Sequence, residues 1–308
     1  MAGRRTVTGP RLVVVLGPTA TGKSDLGVKL AQHFGGEIVN GDAMQLYRGM
    51  DIGTAKLSAE ERSGIPHHLL DVLDVTETAS VAAFQRAARA VIESLLSEGR
   101  TPVLVGGSAL YLRSVVDELS FPGTDPVIRA RLQRQLDEEG PGALHGRLEE
   151  LDPAAAQAVL PSNGRRIVRA LEVIELTGQP FSGQLPPVGP PRYEALLLGL
   201  DLATDVLDAR IDARVEQMFA AGLVDEVRDL IPLGLREGRT AARAVGYQQV
   251  LEAFDGEIPL ELAAAETAKA TRRLVRRQRS WFRRDARIHW LDAAGDPFSS
   301  ALEAASSG

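Results

Sequence analysis

The chain of 308 residues contains no cysteine. That excludes disulfides, thiolate metal sites and thiol nucleophiles. It also lacks any apolar run near the roughly 18–20 residues that span a bilayer. The first residues, MAGRRTVTGPR, carry arginines but no apolar stretch before Leu12, so no secretory signal is expected. His67 and His68 stand side by side without an H-x-x-x-H or cysteine partner, an arrangement poorly suited to sharing one metal. These absences fit a cytoplasmic protein that does not enter a membrane. No coiled coil or internal repeat points to assembly, so no obligate protein partner is expected.

Basic charge is also in deficit overall, with a net charge of −6. The average conceals a patch. From Lys269 to Arg287 the chain reads KATRRLVRRQRSWFRRDAR, and only Asp285 opposes the cations there. A local patch can attract phosphates on an acidic protein, because charges beyond a Debye length of about 8–10 Å are screened. At about 100° per residue, Ala270, Leu274, Val275, Gln278, Trp281 and Phe282 share one helical face. Lys269, Arg272, Arg273, Arg276, Arg279 and Arg283 fall on the other, which suits an RNA backbone.

What is present reads as an α/β domain. RLVVVL (Arg11 to Leu16) predicts a buried parallel strand, followed by a helix from Lys23 to about Phe34. GEIVNGD (Gly36 to Asp42) predicts a second strand, and the segment His68 to Val72 a third. Ser80 to Glu98 is an amphipathic helix, and TPVLVGGSALYL gives a strand, a glycine turn and a helix start. This alternation predicts a P-loop NTPase-like parallel sheet flanked by helices. Asp125 to Gly178 is helical and charged, and the proline-rich QPFSGQLPPVGPPRY follows it. The expected organisation is a core of residues 1–120 and 192–308 with an all-helical insertion at 121–191. Glu194 to Leu202 should rejoin the sheet, Thr204 should cap a helix running to Ala221, and helices are expected at Arg243–Phe254 and Pro259–Arg284. RIHWLDA predicts a last short strand.

The most specific motif is GPTATGKS: Gly17, Pro18, Thr19, Ala20, Thr21, Gly22, Lys23 and Ser24. It matches G-x-x-x-x-G-K-[ST], with the strand and helix that the pattern requires on either side. Glycines let backbone N–H groups turn inward, and the helix N-terminus adds partial positive charge. Lys23 brings an ammonium to phosphate oxygens, and the Ser24 hydroxyl suits Mg²⁺. Nucleotide-cleaving relatives of this loop use a second carboxylate at a strand end. The matching strand, PVLV, ends in Gly106-Gly107-Ser108 instead. That weakens a kinase or NTPase reading and leaves room for a substrate to approach the backbone. Asp42 follows the second strand, where ligand crevices form, but position alone leaves it equally a cap for a helix starting near Ala43. Asp51 and Lys56 are ambiguous in the same way.

Taken in order, GPTATGKS, GDAMQLYRGMDIGTAK, PHHLLD, LVGGSALY, RALEV, RIDARVEQM, AVGYQQ and RRQRSWFRR resemble the tRNA dimethylallyltransferases, over about Leu12 to Asp292. The resemblance implies transfer of a dimethylallyl group from dimethylallyl diphosphate to the exocyclic amine of the adenosine 3′ of the tRNA anticodon, with Mg²⁺ required. The phosphate loop, with Thr19 as an extra donor, would then hold a departing diphosphate. Asp42 would accept the proton, and Arg214 would clamp the diphosphate, with Arg210 a competitor one turn earlier. By the same resemblance Asp42, Ala43, Met44 and Gln45 contact the extruded base. Ser108, Arg129, Arg165, Arg166, Ile167, Val168 and Arg169 lie against the anticodon stem-loop. Ala43 stands where serine is usual, so one hydrogen bond is missing, and Ser24 replaces the commoner threonine. Competing readings are an adenylate prenyltransferase, a small-molecule kinase, and a nucleotide-gated RNA-binding module without catalysis.

Overall fold

The computed structural model describes residues 12–119, 121–182 and 191–306. Arg11, expected to open the first strand, and residues 183–190 of the proline-rich segment lie outside them. The chain divides into two compact units, one formed by Met1–Val116 with Pro191–Gly308 and the other by Asp117–Pro190.

In the first unit, β1 (Leu12–Leu16) is buried on both faces, which is why its sequence LVVVL is apolar without alternation. Leu12, Val14 and Leu16 pack toward α2 (Val81–Ser97) and α3 (Ala109–Val116). Val13 and Val15 pack toward α1 (Lys23–Phe34) and, at the end of the chain, α11 (Pro297–Ser306). The other strands are β2 (Glu37–Asn40), β3 (His67–His68), β4 (Pro102–Gly106), β5 (Ala195–Asp201) and β6 (His289–Asp292). Their order is β3-β2-β4-β1-β5-β6, and every pairing is parallel. From β1 the chain crosses over β4 to reach β2, and it later returns to β5 on the other side of β1. The loops leaving β1, β2 and β4 therefore converge at one end of the sheet, the place where open α/β sheets hold ligands.

Several expected boundaries shift for local reasons. The third strand is only two residues long, because Leu69 and Asp71 adopt left-handed φ angles of 61° and 56° and end the extended run. No helix spans Arg243 to Phe254 without a break. A 3-10 turn at Ala241–Arg243 is separated from α9 (Tyr247–Phe254) by Gly246 at φ 95°. The last long helix, α10 (Ala263–Phe282), is shorter than expected and follows a separate 3-10 turn at Leu260–Leu262. Thr204 opens α7 (Thr204–Ala220) rather than capping it. The cap position is Ala203, and the Thr204 hydroxyl accepts a hydrogen bond from Arg279. Between α7 and α9 lies α8 (Leu223–Leu230).

The second unit contains α4 (Pro126–Leu151), α5 (Pro153–Ala158) and α6 (Gly164–Thr177), and no strand among its described residues. Gly140 at φ 80° followed by Pro141 kinks α4. Leu132, Leu144, Leu148, Ile167 and Leu171 form the core of the unit. Asp125 caps α4 through Val127 and Ile128, and Asn163 caps α6 through Arg166.

At the convergence point the backbones of β2 and β4 touch. A Cβ added to Gly106 would lie 2.4 Å from the carbonyl oxygen of Gly41. Gly106→Ala must push the two strand ends apart, and an overpacked site of this kind costs about 1–3 kcal/mol. The expected result is a lower urea midpoint with an unchanged m-value.

Candidate active site

The phosphate loop leaves β1 through Gly17 at φ 142°, where a side chain would meet the carbonyl oxygen of Leu200 at 2.3 Å. Ala20 holds φ at 65°, a conformation that costs an L-residue about 1–2 kcal/mol. Internal hydrogen bonds hold the loop in this shape. The buried Thr21 hydroxyl donates to the carbonyl oxygen of Pro18 at 2.9 Å, and Lys23 Nζ donates to the same oxygen at 2.5 Å. Gly22, in a left-handed conformation, is the N-cap of α1, so Lys23 and Ser24 stand on the first helical turn.

The loop borders a cavity of about 590 Å³. Thr19, Ala20, Gly22, Lys23 and Ser24 line it, together with Asp42, Gln45, Arg210 and Arg214. Gly17, Pro18 and Thr21 do not, and they serve the loop from behind. A second cavity of about 500 Å³ is lined by Asp42, Ala43, Met44, Ser108, Tyr111 and Trp281, with Arg243, Arg277 and Gln278. Thr19, Asp42, Thr54, Gly107 and Arg214 line both. Arg214 thus stands between the cavities, whereas Arg210 is exposed and borders only the first.

Burial dominates the electrostatics here. It pushes the Lys23 ammonium down to about 7, Arg214 pushes in the same direction, and Asp42 only partly opposes. Arg214 is lowered by burial as well, with Asp42 and Asp25 acting against it. Two poorly hydrated cations and a carboxylate therefore share one crevice, a setting in which an anion gains more than it would in water.

Asp42 caps no helix, because none begins at Ala43. Instead Asp42 Oδ1 accepts the Met44 N–H at 2.9 Å in an Asx turn. Asn40, buried at the end of β2, accepts the Asp42 N–H and donates to the carbonyl oxygens of Asp42 and Leu69. Asp42 Oδ2 has no hydrogen-bond partner among the described residues. The carboxyl group is anchored through one oxygen while the residue faces both cavities.

The segment MDIGTAK is closed by charges. Lys56, with a side chain only 3% exposed, donates to Asp51 and Asp71, both at 2.6 Å, and to the carbonyl oxygen of Tyr47. Glu226 of α8 accepts the N–H groups of Asp51, Ile52 and Gly53 and the hydroxyl of the buried Tyr247. Asp51 and Lys56 thus shape the loop that carries Thr54 and Gln45 toward the site, and Gln45 itself donates to the carbonyl oxygens of Thr54 and Ala55.

One expectation for the basic helix needs correction. Arg279 does not face outward with the other cations of α10. It is 8% exposed and held by Asp201, Thr204 and the carbonyl oxygen of Leu202. Ile167 and Val168 turn their side chains into the core of the helical unit. Arg129 and Arg169 both bridge the fully buried Glu172, at 2.5 and 2.7 Å, and so neutralise a charge that would otherwise be stranded. Arg165 and Arg166 are exposed. On α10 Arg273, Arg276 and Arg277 are exposed, as is Lys269, which pairs with Glu266, while the half-buried Arg272 pairs with Asp212.

Sequence reading missed Asn40, Glu226, Arg243, Arg277 and Gln278. Only the last two had a signal, as members of the basic helix. Glu226 and Arg243 reach the site from distant segments, where no spacing rule applies, and Asn40 combines a local turn around Asp42 with a bond to Leu69.

A parallel sheet, a phosphate loop at the carboxyl end of its central strand, and an acidic residue between two cavities define a P-loop α/β protein built for group transfer. Residues 45–285 match the family model described as IPP transferase. A tRNA dimethylallyltransferase from Streptomyces coelicolor is 65% identical over 282 residues, 92% of this chain and 90% of that protein. Another from Saccharopolyspora erythraea is 66% identical, covering 92% of each. The crystal structure of the full-length tRNA isopentenylpyrophosphate transferase from Bacillus halodurans superposes with a TM-score of 0.71 at 40% identity, over 96% of this chain and 94% of that one. A eukaryotic dimethylallyltransferase captured acting on tRNA gives 0.80 at 27% identity, over 96% and 76%. The chain belongs to the IPP transferase family, whose members are prenyltransferases.

Because the Lys23 ammonium titrates near 7, its charge is present below that pH and lost above it. An anion in the cavity raises this pKa, so binding above pH 7 must take up a proton. Calorimetry with inorganic pyrophosphate at pH 8, in buffers of different ionisation enthalpy, should show more proton uptake for wild type than for Lys23→Met. The difference removes the titration of pyrophosphate itself. By the same linkage the unfolded chain, with an ordinary lysine, binds more protons between about 7 and 10.5. The contribution of Lys23 to stability therefore rises with pH across that window.

Proposed function

We infer that the site transfers a dimethylallyl group from dimethylallyl diphosphate to the exocyclic amine of an adenosine 3′-adjacent to the tRNA anticodon, releasing pyrophosphate. The observation that carries this reading is the pair of cavities meeting at Asp42 and Arg214. One is lined by the phosphate loop and its cations, and the other by Met44, Tyr111, Leu274 and Trp281. A diphosphate belongs in the first and a purine in the second, with the reacting carbon between them.

The chemistry follows from the charges. The bond between the allylic carbon and oxygen breaks, its electron pair leaves with the diphosphate, and the carbon becomes electron-poor. Lys23, Arg214 and the loop amides neutralise the leaving group, which lowers the barrier most where water is excluded. The adenine amine is a weak nucleophile because its lone pair is delocalised. As the nitrogen–carbon bond forms, Asp42 accepts the amine proton, through the oxygen that is not engaged by Met44. The Asx turn and Asn40 fix the residue that carries that oxygen, and the residue lines both cavities.

Magnesium fits this site on its donor chemistry. Among the described residues no cluster of three His, Cys, Asp or Glu could cage a metal, and Ser24 offers a hard hydroxyl oxygen beside the loop. That suits an ion held chiefly by diphosphate and water, with Ser24 as the protein ligand. When bound it adds positive charge to the leaving group.

The acceptor is read as tRNA because Arg243, Arg277 and Trp281 are exposed on the rim of the second cavity, with Arg273 and Arg276 further along α10. In the helical unit, Arg165 and Arg166 are free of the pairing that occupies Arg129 and Arg169 and are the better candidates for phosphate contacts. Extruding a base from an anticodon loop costs only a few kcal/mol, because loop bases are partly unstacked already.

Labelled dimethylallyl diphosphate with Mg²⁺ should pass its label to unmodified tRNA and not to AMP. Label on AMP, or phosphate transfer from ATP, would refute the assignment. Asp42→Asn keeps the turn but cannot accept the proton, so kcat should fall by about 10²–10⁴-fold. Its tRNA affinity, read by filter binding, should stay within about twofold, since a lost phosphate or base contact shifts affinity more than that. Undiminished turnover in Asp42→Asn would remove this residue as the base.

A further inference from the structure

The side chain of Gln278 joins the site to the basic helix. It leaves α10 and reaches two backbone groups from different parts of the fold. Its Oε1 accepts the Thr19 N–H of the phosphate loop at 3.1 Å, and its Nε2 donates to the carbonyl oxygen of Gly107, beyond the end of β4, at 2.9 Å. The carboxamide thus bridges β1's loop and β4's loop, saturating one donor and one acceptor that would otherwise face the second cavity. Gly107 bears the other half of this arrangement. A Cβ there would lie 2.6 Å from Gln278 Nε2 and 3.4 Å from the carbonyl oxygen of Gly17. The absence of a side chain at Gly107 is what lets the amide in.

The position of this bridge matters because of its neighbours. Thr19 lines both cavities and precedes Ala20, the loop residue in a left-handed conformation. A strained loop keeps its shape only when its surroundings over-determine it. Thr21 and Lys23 bind Pro18 from within the loop. Gln278 is the tie from outside, and it comes from the helix that carries Arg273, Arg276 and Arg277 on its exposed side.

We propose that Gln278 is a positioning residue for the phosphate loop: α10, packed against α7 and α9, sets the shape of the diphosphate grip through one carboxamide. The Thr19 backbone N–H is therefore spent on Gln278 and is not a donor to the diphosphate, which leaves the Thr19 hydroxyl for that task. This inference rests on the reading of the loop as a diphosphate site.

The test compares Gln278→Leu, Gly107→Ala and the double variant with wild type, in the full chain. Removing the carboxamide or displacing it should raise the KM for dimethylallyl diphosphate, and the Kd for inorganic pyrophosphate with MgCl₂, by at least about tenfold, equivalent to about 1.4 kcal/mol. The KM for tRNA should change by less than about twofold, because the arginines of α10 are untouched. The double variant should be no worse than the weaker-binding single variant, since both changes break the same bridge. The midpoint of thermal unfolding should fall by no more than about 4 °C, as for a lost surface-proximal hydrogen-bond pair in a chain of this size. Unchanged pyrophosphate binding in Gln278→Leu overturns the proposal. So does a rise confined to the KM for tRNA, or strict additivity in the double variant. A wild-type protein that binds pyrophosphate yet transfers no prenyl group would refute the functional reading alone, and the binding comparison would still decide the role of Gln278.

Discussion

Two cations held away from bulk water at the end of a buried strand organise this molecule. Lys23 is driven down to about 7 chiefly by burial, and the neighbouring Arg214 adds to the effect. Such a pair is unfavourable by itself and becomes favourable when a polyanion enters, because the low-dielectric crevice that penalises the charges also strengthens their attraction to phosphate. Among the described residues, Asp42 is the carboxylate that acts on both. Its partial neutralisation of Lys23 and its access to both cavities follow from the same location.

The surrounding structure keeps those groups apart and aimed. Asn40 and the Asx turn fix the backbone around Asp42, so the second strand ends in a defined carboxylate rather than in a helix. Glu226 gathers three successive backbone N–H groups of the MDIGTAK segment, and Lys56 ties its two flanks together through Asp51 and Asp71. In each case a charge at least partly withdrawn from water is satisfied by several hydrogen bonds at once, the condition under which burying it does not unfold the protein. The same rule operates in the helical unit, where Glu172 is satisfied by Arg129, Arg169 and the Asp125 N–H.

On the proposed reading, the phosphate loop serves carbon–oxygen rather than phosphorus–oxygen cleavage. The strand beside β1 ends in Gly106, followed by Gly107, with no acidic side chain to hold a metal at the terminal phosphate of a nucleotide. What occupies that place is the approach of Gly41 to Gly106 and of Gln278 to Gly107. Fold and function are separable here. In that reading the loop supplies anion binding, and the neighbouring groups decide which bond of the bound molecule is weakened.

Local sequence was enough for every feature that depends on neighbours along the chain. The run LVVVL could only be a strand buried on both faces, and GPTATGKS could only curl where its glycines allow. Asp125 to Gly178 read as helical from its charged composition without a strand signal. Family resemblance then brought Asp42 and Arg214 into view. What required the folded molecule was every relationship between distant segments. The distinction between Arg279, which pins β5, and Arg276, which faces solvent, is invisible to a helical wheel, since three residues separate them and only packing tells core from water. The roles of Glu226 and Gln278 depend on contacts across 173 and 259 positions respectively. Hydrophobic periodicity reports which face of an element is buried. It carries no information about which backbone amide a buried polar side chain will meet, because that is decided when the layers pack.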